Sequence, residues 1–194
     1  MSTIKLSQQK VFQYFDTAYL LKFILLFAVL YGFNMAYFSI TTPYGNFYSP
    51  FLDHYLNYIN WLKASLIHTS NQMCHLIGIN SYIPNSSALQ AAGSTRLMVG
   101  ESCLGLGVSS FWVAYILADG SNWKRKALWC LGGLASIWLI NCLRITFMLL
   151  AYVQHWELII TSDYHTSFNV LAYGLVFLQI YIYNRSAGKA LQGS

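Results

Sequence analysis

Three side chains able to take part in acyl-transfer chemistry stand near the ends of three successive apolar segments. They are the thiol of Cys103, the guanidinium of Arg144 and the imidazole of His165. A thiolate attacks an acyl carbon, an imidazole accepts and donates protons near neutral pH, and a guanidinium stabilises the oxyanion of a tetrahedral intermediate. If these side chains meet, they suffice for acyl transfer through a thioester.

Arg144 stands out because it lies within an otherwise apolar run. On insertion scales an arginine at the centre of a membrane span costs about 2.5–3.5 kcal/mol, so a functional role is the default interpretation. Asn141 lies one turn earlier on the same helix face and is expected to orient the guanidinium. The alternative is structural, with Arg144 forming a buried salt bridge to Glu101 or Asp163.

Cys103 differs from the other cysteines in its neighbours. Glu101 and Ser102 precede it, and Gly105 follows, where the absence of a side chain permits close backbone approach. The remaining cysteines are interpreted as small core residues: Cys74, Cys130 and Cys142. Because the cysteines show no metal-ligand spacing, we expect no metal, no cofactor and no disulfide framework.

His165 begins a polar stripe at helical spacing that continues through Asn169 and Tyr173. Residues four apart share one face of a helix, so the stripe is expected to point into a bundle. The candidate catalytic residues are therefore Cys103, Arg144 and His165. The candidates for binding or orienting a substrate are Glu101, Asn141 and Asn169.

The composition is that of a membrane protein. Of 194 residues, 56% are hydrophobic and only 9% are charged, whereas a soluble domain carries about 25% charged residues. The net charge of +5 is concentrated at segment ends, most clearly in Lys124, Arg125 and Lys126. That distribution is typical of membrane topology and argues against nucleic-acid binding.

The hydropathy pattern predicts an all-α fold, a polytopic membrane bundle of about four transmembrane helices and one amphipathic or interfacial helix. The first span covers 18–40, the amphipathic helix 51–79, and the later spans 97–117, 127–153 and 165–183. A polar loop that could hold a short hairpin covers 80–95. The predicted organisation is a cytoplasmic lead (1–17), the first span with the amphipathic helix and an extracytoplasmic loop (18–96), a catalytic three-helix core (97–184) and a cytoplasmic tail (185–194).

The basic loops predict the topology, because short loops rich in lysine and arginine stay in the cytoplasm. Both termini and the Lys124–Lys126 loop lie inside only if the number of crossings is even, so 51–79 is predicted not to cross. A helix rises about 1.5 Å per residue, which places Cys103, Arg144 and His165 about 21, 22 and 27 Å from the inner face. All three then share one level in the outer part of the bilayer.

Three motifs together resemble one family. Cys103-Leu104-Gly105, Asn141 and Arg144 in the spacing Asn-x-x-Arg-Ile, and His165 before the final span are similar to the exosortase/archaeosortase family of membrane transpeptidases. The resemblance covers roughly 99–183. The short chain and the Cys-Leu-Gly variant, in place of the frequent Cys-Ser-Gly, look like the compact forms found in Bacteroidota.

The resemblance implies that Cys103 is the nucleophile, Arg144 the oxyanion-stabilising and substrate-orienting cation, and His165 the general acid and base. The implied substrate is an exported protein with a C-terminal sorting tail, made of a short motif, a membrane helix and a basic end. The implied product is transferred to a surface acceptor, with a link to exopolysaccharide. The implied location is the bacterial inner membrane, with the active site facing the periplasm, membrane lipid around it and no nucleic-acid partner.

Two other functions fit the same residues. One is a membrane cysteine protease that hydrolyses its substrate and never transfers it. The other is a non-catalytic membrane partner of polysaccharide or surface assembly, in which Arg144 belongs to a structural ion pair.

Overall fold

The computed structural model describes residues 17–43, 47–93, 96–154 and 164–192; at 164–169, 171–172 and 187–192 it describes the backbone alone. Its helices are α1 (Thr17–Thr41), α2 (Pro50–Tyr55), α3 (Tyr58–Leu76), α4 (Leu106–Ala118), α5 (Trp123–Val153) and α6 (Tyr164–Gln192). Its strands are β1 (Ser81–Asn85), β2 (Ala88–Ala91) and β3 (Arg96–Met98). The protein is mostly helical, as predicted, with a small sheet added to the predicted all-α bundle.

Two helices in the described part of the chain are long and apolar enough to cross a membrane, α1 with 25 residues and α5 with 31. Side chains along α1 such as Leu21, Leu25 and Val29 are exposed, as expected for a helix that faces lipid. α4 has 13 residues and rises only about 20 Å, which is less than the roughly 30 Å of a hydrocarbon core. Leu106, the first residue of α4, therefore lies below the outer edge of the hydrocarbon core.

The predicted amphipathic helix is two helices, because the chain breaks at Leu56 and Asn57. The Asn57 side chain caps α3 by accepting a hydrogen bond from the backbone N–H of Asn60 at 3.0 Å. The break lies against α1, where the Tyr37 hydroxyl donates to the Leu56 carbonyl at 2.6 Å. Capping at an interior position of the segment explains why a single helix does not form.

α3 packs along α5, with both helices running in the same direction. The indole N–H of Trp138 donates to the Ser65 hydroxyl at 2.9 Å, and the Ser70 hydroxyl donates to the carbonyl of Cys142 at 3.1 Å. α1 ends where α2 begins, since the N–H of Ser49 donates to the carbonyl of Ile40 at 2.9 Å. The segment 50–76 thus starts beside the end of α1, turns back and runs along α5. This agrees with the prediction that it packs beside the bundle.

The sheet is antiparallel with the order β1-β2-β3. The turn between β1 and β2 is set by Asn85, whose side chain accepts from the N–H of Ser87 at 3.0 Å. Leu89 and Leu97 are buried in the core that also holds Cys103 and the outer part of α5. The sequence predicted a polar loop with a hairpin at 80–95, and the third strand replaces the predicted start of a span at 97.

The bounds of the last three helices correct the prediction at several points. α4 begins at Leu106 and not at 97, because Gly100 is extended and Gly105 adopts φ 69°, which interrupts a helix. α5 begins four residues earlier than predicted, at Trp123, where the side chain of Asn122 caps it. α6 continues to Gln192, through most of the predicted cytoplasmic tail.

At the end of the bundle that carries Lys124–Lys126, called the basic end below, one cluster joins three helices. The Tyr183 hydroxyl on α6 donates to the Asp119 carboxylate, which follows α4. Arg125 of α5 donates to the Tyr183 carbonyl at 3.2 Å and to the Ser186 hydroxyl at 3.0 Å. These contacts connect α4, α5 and α6 at this end of the bundle.

Candidate functional site

Cys103 is held by a tight turn immediately before α4. The residues Glu101–Cys103 form a 3₁₀ turn in which the N–H of Cys103 donates to the carbonyl of Gly100 at 3.0 Å. Gly105 then reverses the backbone and caps α4. Cys103, 3% exposed, thus lies two residues before the N-cap of α4.

Arg144 reaches this turn from the middle of α5. One terminal nitrogen of its guanidinium lies 3.9 Å from Cys103 Sγ, and the other donates to the Ser102 carbonyl at 3.4 Å. The side chain is 6% exposed, and its neighbour along the helix, Ile145, is fully packed. The guanidinium therefore brings a positive charge into contact with the Cys103 sulfur.

Asn141 lies beside Gly105, one turn before Arg144. Its side chain is 5% exposed, and its Nδ2 group has no hydrogen-bond partner among the residues that the structure describes. A Cβ atom at Gly105 would overlap this amide. Glycine is required here by the close approach and by the left-handed backbone conformation together. The predicted orienting residue Asn141 therefore lies at the site, with a free donor.

Glu101 and Ser102 lie at the mouth of a cleft with a volume of about 660 Å³. α4 forms the floor of the cleft, and α1 and α6 form its two walls. Both Glu101 and Ser102 are exposed. The remaining lining is almost entirely apolar: Phe27, Tyr31, Met35, Gly105, Leu106, Gly107, Val108, Phe111, Tyr173, Val176, Phe177 and Ile180. We call this the α1/α6 cleft.

The backbone of His165 lies in the first turn of α6, and Asn169 lies one turn later. The side chains of both residues are outside the described part of the chain, as is Asp163 altogether. Along α6, His165 is 18 residues from Tyr183, a rise of about 27 Å. α4 rises about 20 Å from the level of Tyr183 to Leu106, and the Cys103 turn lies beyond Leu106. The backbone of His165 therefore lies close to the level of the Cys103 turn.

The comparison with family models gives one match, to the transmembrane exosortase family over residues 3–182. The match covers nearly the whole chain, including α1, the sheet and all three candidate catalytic positions. The chain belongs to the transmembrane exosortase family. No curated protein and no solved structure matches it.

For this exosortase-family chain, the match extends the predicted resemblance from 99–183 to the first half of the protein. Sequence reasoning found no motif in 1–96, yet Tyr31 and Met35 of α1 line the cleft beside Cys103. It also missed the Ser102 carbonyl as a partner of Arg144. The available signal was the pair Gly100 and Gly105, whose spacing brackets a turn and not a helix.

Proposed function

We propose that this exosortase-family protein is a membrane-embedded cysteine transpeptidase that cleaves the C-terminal sorting tail of exported proteins. The observation that carries the proposal is the contact of 3.9 Å between the Arg144 guanidinium and Cys103 Sγ in a site shielded from solvent. A buried cysteine in an apolar environment is ordinarily inert, because burial disfavours its thiolate. The contact with the Arg144 guanidinium supports the assignment of Cys103 as the nucleophile.

In the proposed reaction, the Cys103 thiolate attacks the carbonyl carbon of the scissile peptide bond. The electron pair of the carbonyl moves to oxygen, and Arg144 stabilises this oxyanion. Collapse breaks the C–N bond, His165 gives the leaving amine its proton, and an acyl-thioester remains. An amine or hydroxyl of the acceptor then attacks the thioester while His165 takes its proton, and the thiolate leaves. Each carbonyl, proton and electron pair is accounted for without a cofactor.

The burial of the site favours transfer over hydrolysis. Cys103 is 3% exposed, and the neighbouring Leu104 and Leu106 are buried too, so few water molecules would reach the thioester. The cleavage product distinguishes the two outcomes. Mass spectrometry of its new C-terminus is expected to show an adduct on the released carbonyl, whereas a free carboxylate alone would assign the protein as a hydrolase.

The α1/α6 cleft suits the membrane helix of the tail in this reaction. It begins at Ser102, next to Cys103, and continues along α4 to Phe111, away from the mouth. A helix that follows the scissile bond has to descend from Cys103 into the bilayer. An apolar wall on both sides accommodates that descent without leaving polar groups unpaired.

The proposed orientation places the basic end in the cytoplasm and the Cys103 turn toward the periplasm of a bacterial inner membrane. The basic end carries Lys124, Arg125, Lys126 and Arg185, and short basic segments stay in the cytoplasm. Four crossings, by α1, by α4 with the turn before it, by α5 and by α6, agree with this arrangement. The folded part of the exported substrate then lies on the periplasmic side, which is the side that the Cys103 turn faces.

The test is to express the enzyme with a tagged precursor that carries a motif, a helix and a basic tail, encoded near it in the genome. We expect Cys103→Ala and Cys103→Ser to stop processing of the precursor while the enzyme still accumulates in the membrane. Cys142→Ser is the matched control, because this buried cysteine lies on the same helix as Arg144 and its backbone carbonyl accepts from Ser70 of α3. Processing that persists in both Cys103 variants would refute the assignment.

A further inference from the structure

The strand β3 forms one edge of the sheet and leads directly into the catalytic turn. It pairs with β2 in the register Ala88–Met98, Leu89–Leu97 and Gln90–Arg96. Only Val99 and Gly100 separate its last residue from the 3₁₀ turn that holds Cys103. The backbone at Gly100 is extended, with φ −82° and ψ 178°. An extended stretch of chain thus ends at the nucleophile.

The hydrogen-bond pattern shows which backbone groups of β3 face outward. The N–H of Val99 donates to the carbonyl of Ser87 at 2.8 Å, so Val99 and Ser87 are a hydrogen-bonded pair. In an antiparallel ladder such pairs alternate with non-hydrogen-bonded ones. Leu97 consequently bonds to β2, whereas the N–H and carbonyl groups of Arg96 and Met98 point away from it. Within the described part of the chain, no backbone hydrogen bond is made by these outward groups.

The two edges of the sheet differ in the way that distinguishes a protected edge from an open one. The opposite edge, β1, contains Pro84 and a register irregularity between Tyr82 and Asn85. Proline and bulges are devices that prevent an edge from pairing with another chain. β3 contains neither. The side chains of Arg96 and Met98 are exposed, and Met98 is a flexible side chain that adapts to varied partners.

We propose that the open edge of β3, Arg96–Met98, binds the substrate segment that precedes the scissile bond as a fourth, parallel strand. This inference rests on the proposed function, because it requires a peptide substrate that is cleaved at Cys103. β3 runs toward Cys103, and an exported protein also approaches the site from its N-terminal side, so the two chains run in the same direction. Edge pairing uses the peptide backbone for affinity, which is how extended peptides are recognised elsewhere.

The geometry also predicts which substrate residues pair. Two extended residues and one 3₁₀ turn separate Met98 from Cys103, a path of about 13 Å. An extended peptide covers that path in about four residues. The paired residues are therefore expected about four to six positions before the scissile bond. They belong to the motif, whereas the helix after the bond belongs to the α1/α6 cleft.

The first arm of the test changes the open edge of β3 and leaves the hydrogen bonds between β2 and β3 intact. Met98→Pro removes an N–H that points outward, and Leu97 already has the extended conformation that a residue before proline prefers. Met98→Ala is the matched control, because it shortens the side chain and keeps the N–H. We expect Met98→Pro to raise KM for a tail peptide by about three- to tenfold relative to Met98→Ala, as the loss of one hydrogen bond implies.

The second arm uses the wild-type enzyme in detergent, which makes the result independent of whether Met98→Pro folds. The probe is a synthetic peptide that copies the sorting tail of a precursor processed in a Cys103-dependent manner. One backbone amide at a time is N-methylated upstream of the cleavage site. A strand-paired peptide presents every second N–H to the edge, so we expect cleavage to fall about tenfold at alternate positions and to stay near normal at those between them.

The outcomes separate this inference from the proposed function. Uniform tolerance of N-methylation, a loss without alternation, or equal KM for Met98→Pro and Met98→Ala would overturn the edge-pairing proposal while cleavage itself remains. If the wild-type enzyme does not cleave the unmodified peptide, or Cys103→Ala cleaves it equally well, the proposed function fails first.

Discussion

At the scale of single residues, the site depends on one guanidinium that uses two nitrogens for two tasks. One contacts Cys103 Sγ at 3.9 Å, and the other holds the carbonyl of Ser102 at 3.4 Å. The second contact orients the turn on which the thiol lies. In the proposed mechanism, the first contact provides positive charge where the thiolate and then the oxyanion develop. A planar fork with fixed spacing performs both tasks, and a single ammonium group does not.

We therefore expect Arg144→Lys to lower the processing rate by about 100-fold or more, the usual effect of removing an oxyanion donor. Because lysine keeps the positive charge, the loss of processing rate would report the missing geometry of the guanidinium group. The measurement is the initial rate of precursor cleavage, together with the rate at which iodoacetamide alkylates Cys103.

The matched control for that change is Arg125→Lys. It alters an arginine on the same helix, whose contacts with Tyr183 and Ser186 lie at the basic end. It is expected to leave cleavage within about threefold, because lysine keeps the positive charge and these contacts lie at the basic end, away from Cys103. Equal rates for Arg144→Lys and the wild type would remove Arg144 from the mechanism.

At the scale of elements, α4 packs closely against α5, and this packing positions the cysteine turn relative to Arg144. Trp112 of α4 is fully buried, and its indole N–H donates to the carbonyl of Trp129 at 3.1 Å. The ring lies directly on Gly133, where any Cβ atom would overlap it. The adjacent Gly132 has open space around its Cα. A side chain is therefore excluded at Gly133 but has room at Gly132.

These two glycines give a matched pair of variants. Gly133→Ala is expected to lower the melting temperature in detergent and the processing rate, because the indole has to move and α4 carries the turn. Gly132→Ala is expected to keep or raise the melting temperature, since alanine favours a helix by up to about 1 kcal/mol over glycine. A melting temperature for Gly133→Ala equal to that of Gly132→Ala would show that α4 and α5 do not pack this closely.

Hydropathy predicted the long elements well because burial in lipid requires long apolar runs, as in α1 and α5. It failed between 96 and 106, where Leu97, Met98 and Val99 are apolar enough to extend a span. A short apolar run does not distinguish a strand from a helix. Arg144 was identified from its cost in lipid. The partner carbonyl of Ser102 carries no side-chain signal, so only the folded turn reveals it.

At the scale of the whole molecule, the cluster at the basic end holds the helices together opposite the site. Burial raises the pKa of the Asp119 carboxyl, but hydrogen bonds from Tyr183, from Ser121 and from the backbone N–H groups of Gly120 and Ser121 outweigh it and leave the pKa below its usual 3.8. A carboxyl with a lowered folded-state pKa stabilises the fold above the unfolded pKa. That stabilisation is lost as the pH falls through the folded-state pKa.

Asp119→Asn is accordingly expected to lower the melting temperature by a constant amount between about pH 5 and pH 8. As the pH falls below 3.8 and then through the lower folded-state pKa, the wild-type carboxylate becomes protonated, and the two melting curves are expected to converge. Melting in detergent over this pH range is the measurement. A gap that stays constant down to pH 3 would mean that Asp119 is not the group that links α4 to α6.

The topology of the whole chain provides the last prediction, because the proposed route of the substrate to Cys103 requires that 50–76 return to the side from which it entered. Single cysteines at exposed positions test this in a Cys103→Ser, Cys130→Ser background, where the remaining Cys74 and Cys142 are buried. We expect Pro43→Cys and Ser86→Cys to react with a membrane-impermeant maleimide in intact spheroplasts, and Gly120→Cys to react only after permeabilisation. If 50–76 crossed the membrane, Pro43→Cys and Ser86→Cys would label from opposite sides. The hydrogen bonds of α3 to Trp138 and Cys142 would then be incompatible with the arrangement in the membrane, and β3 could not present its edge to an exported peptide.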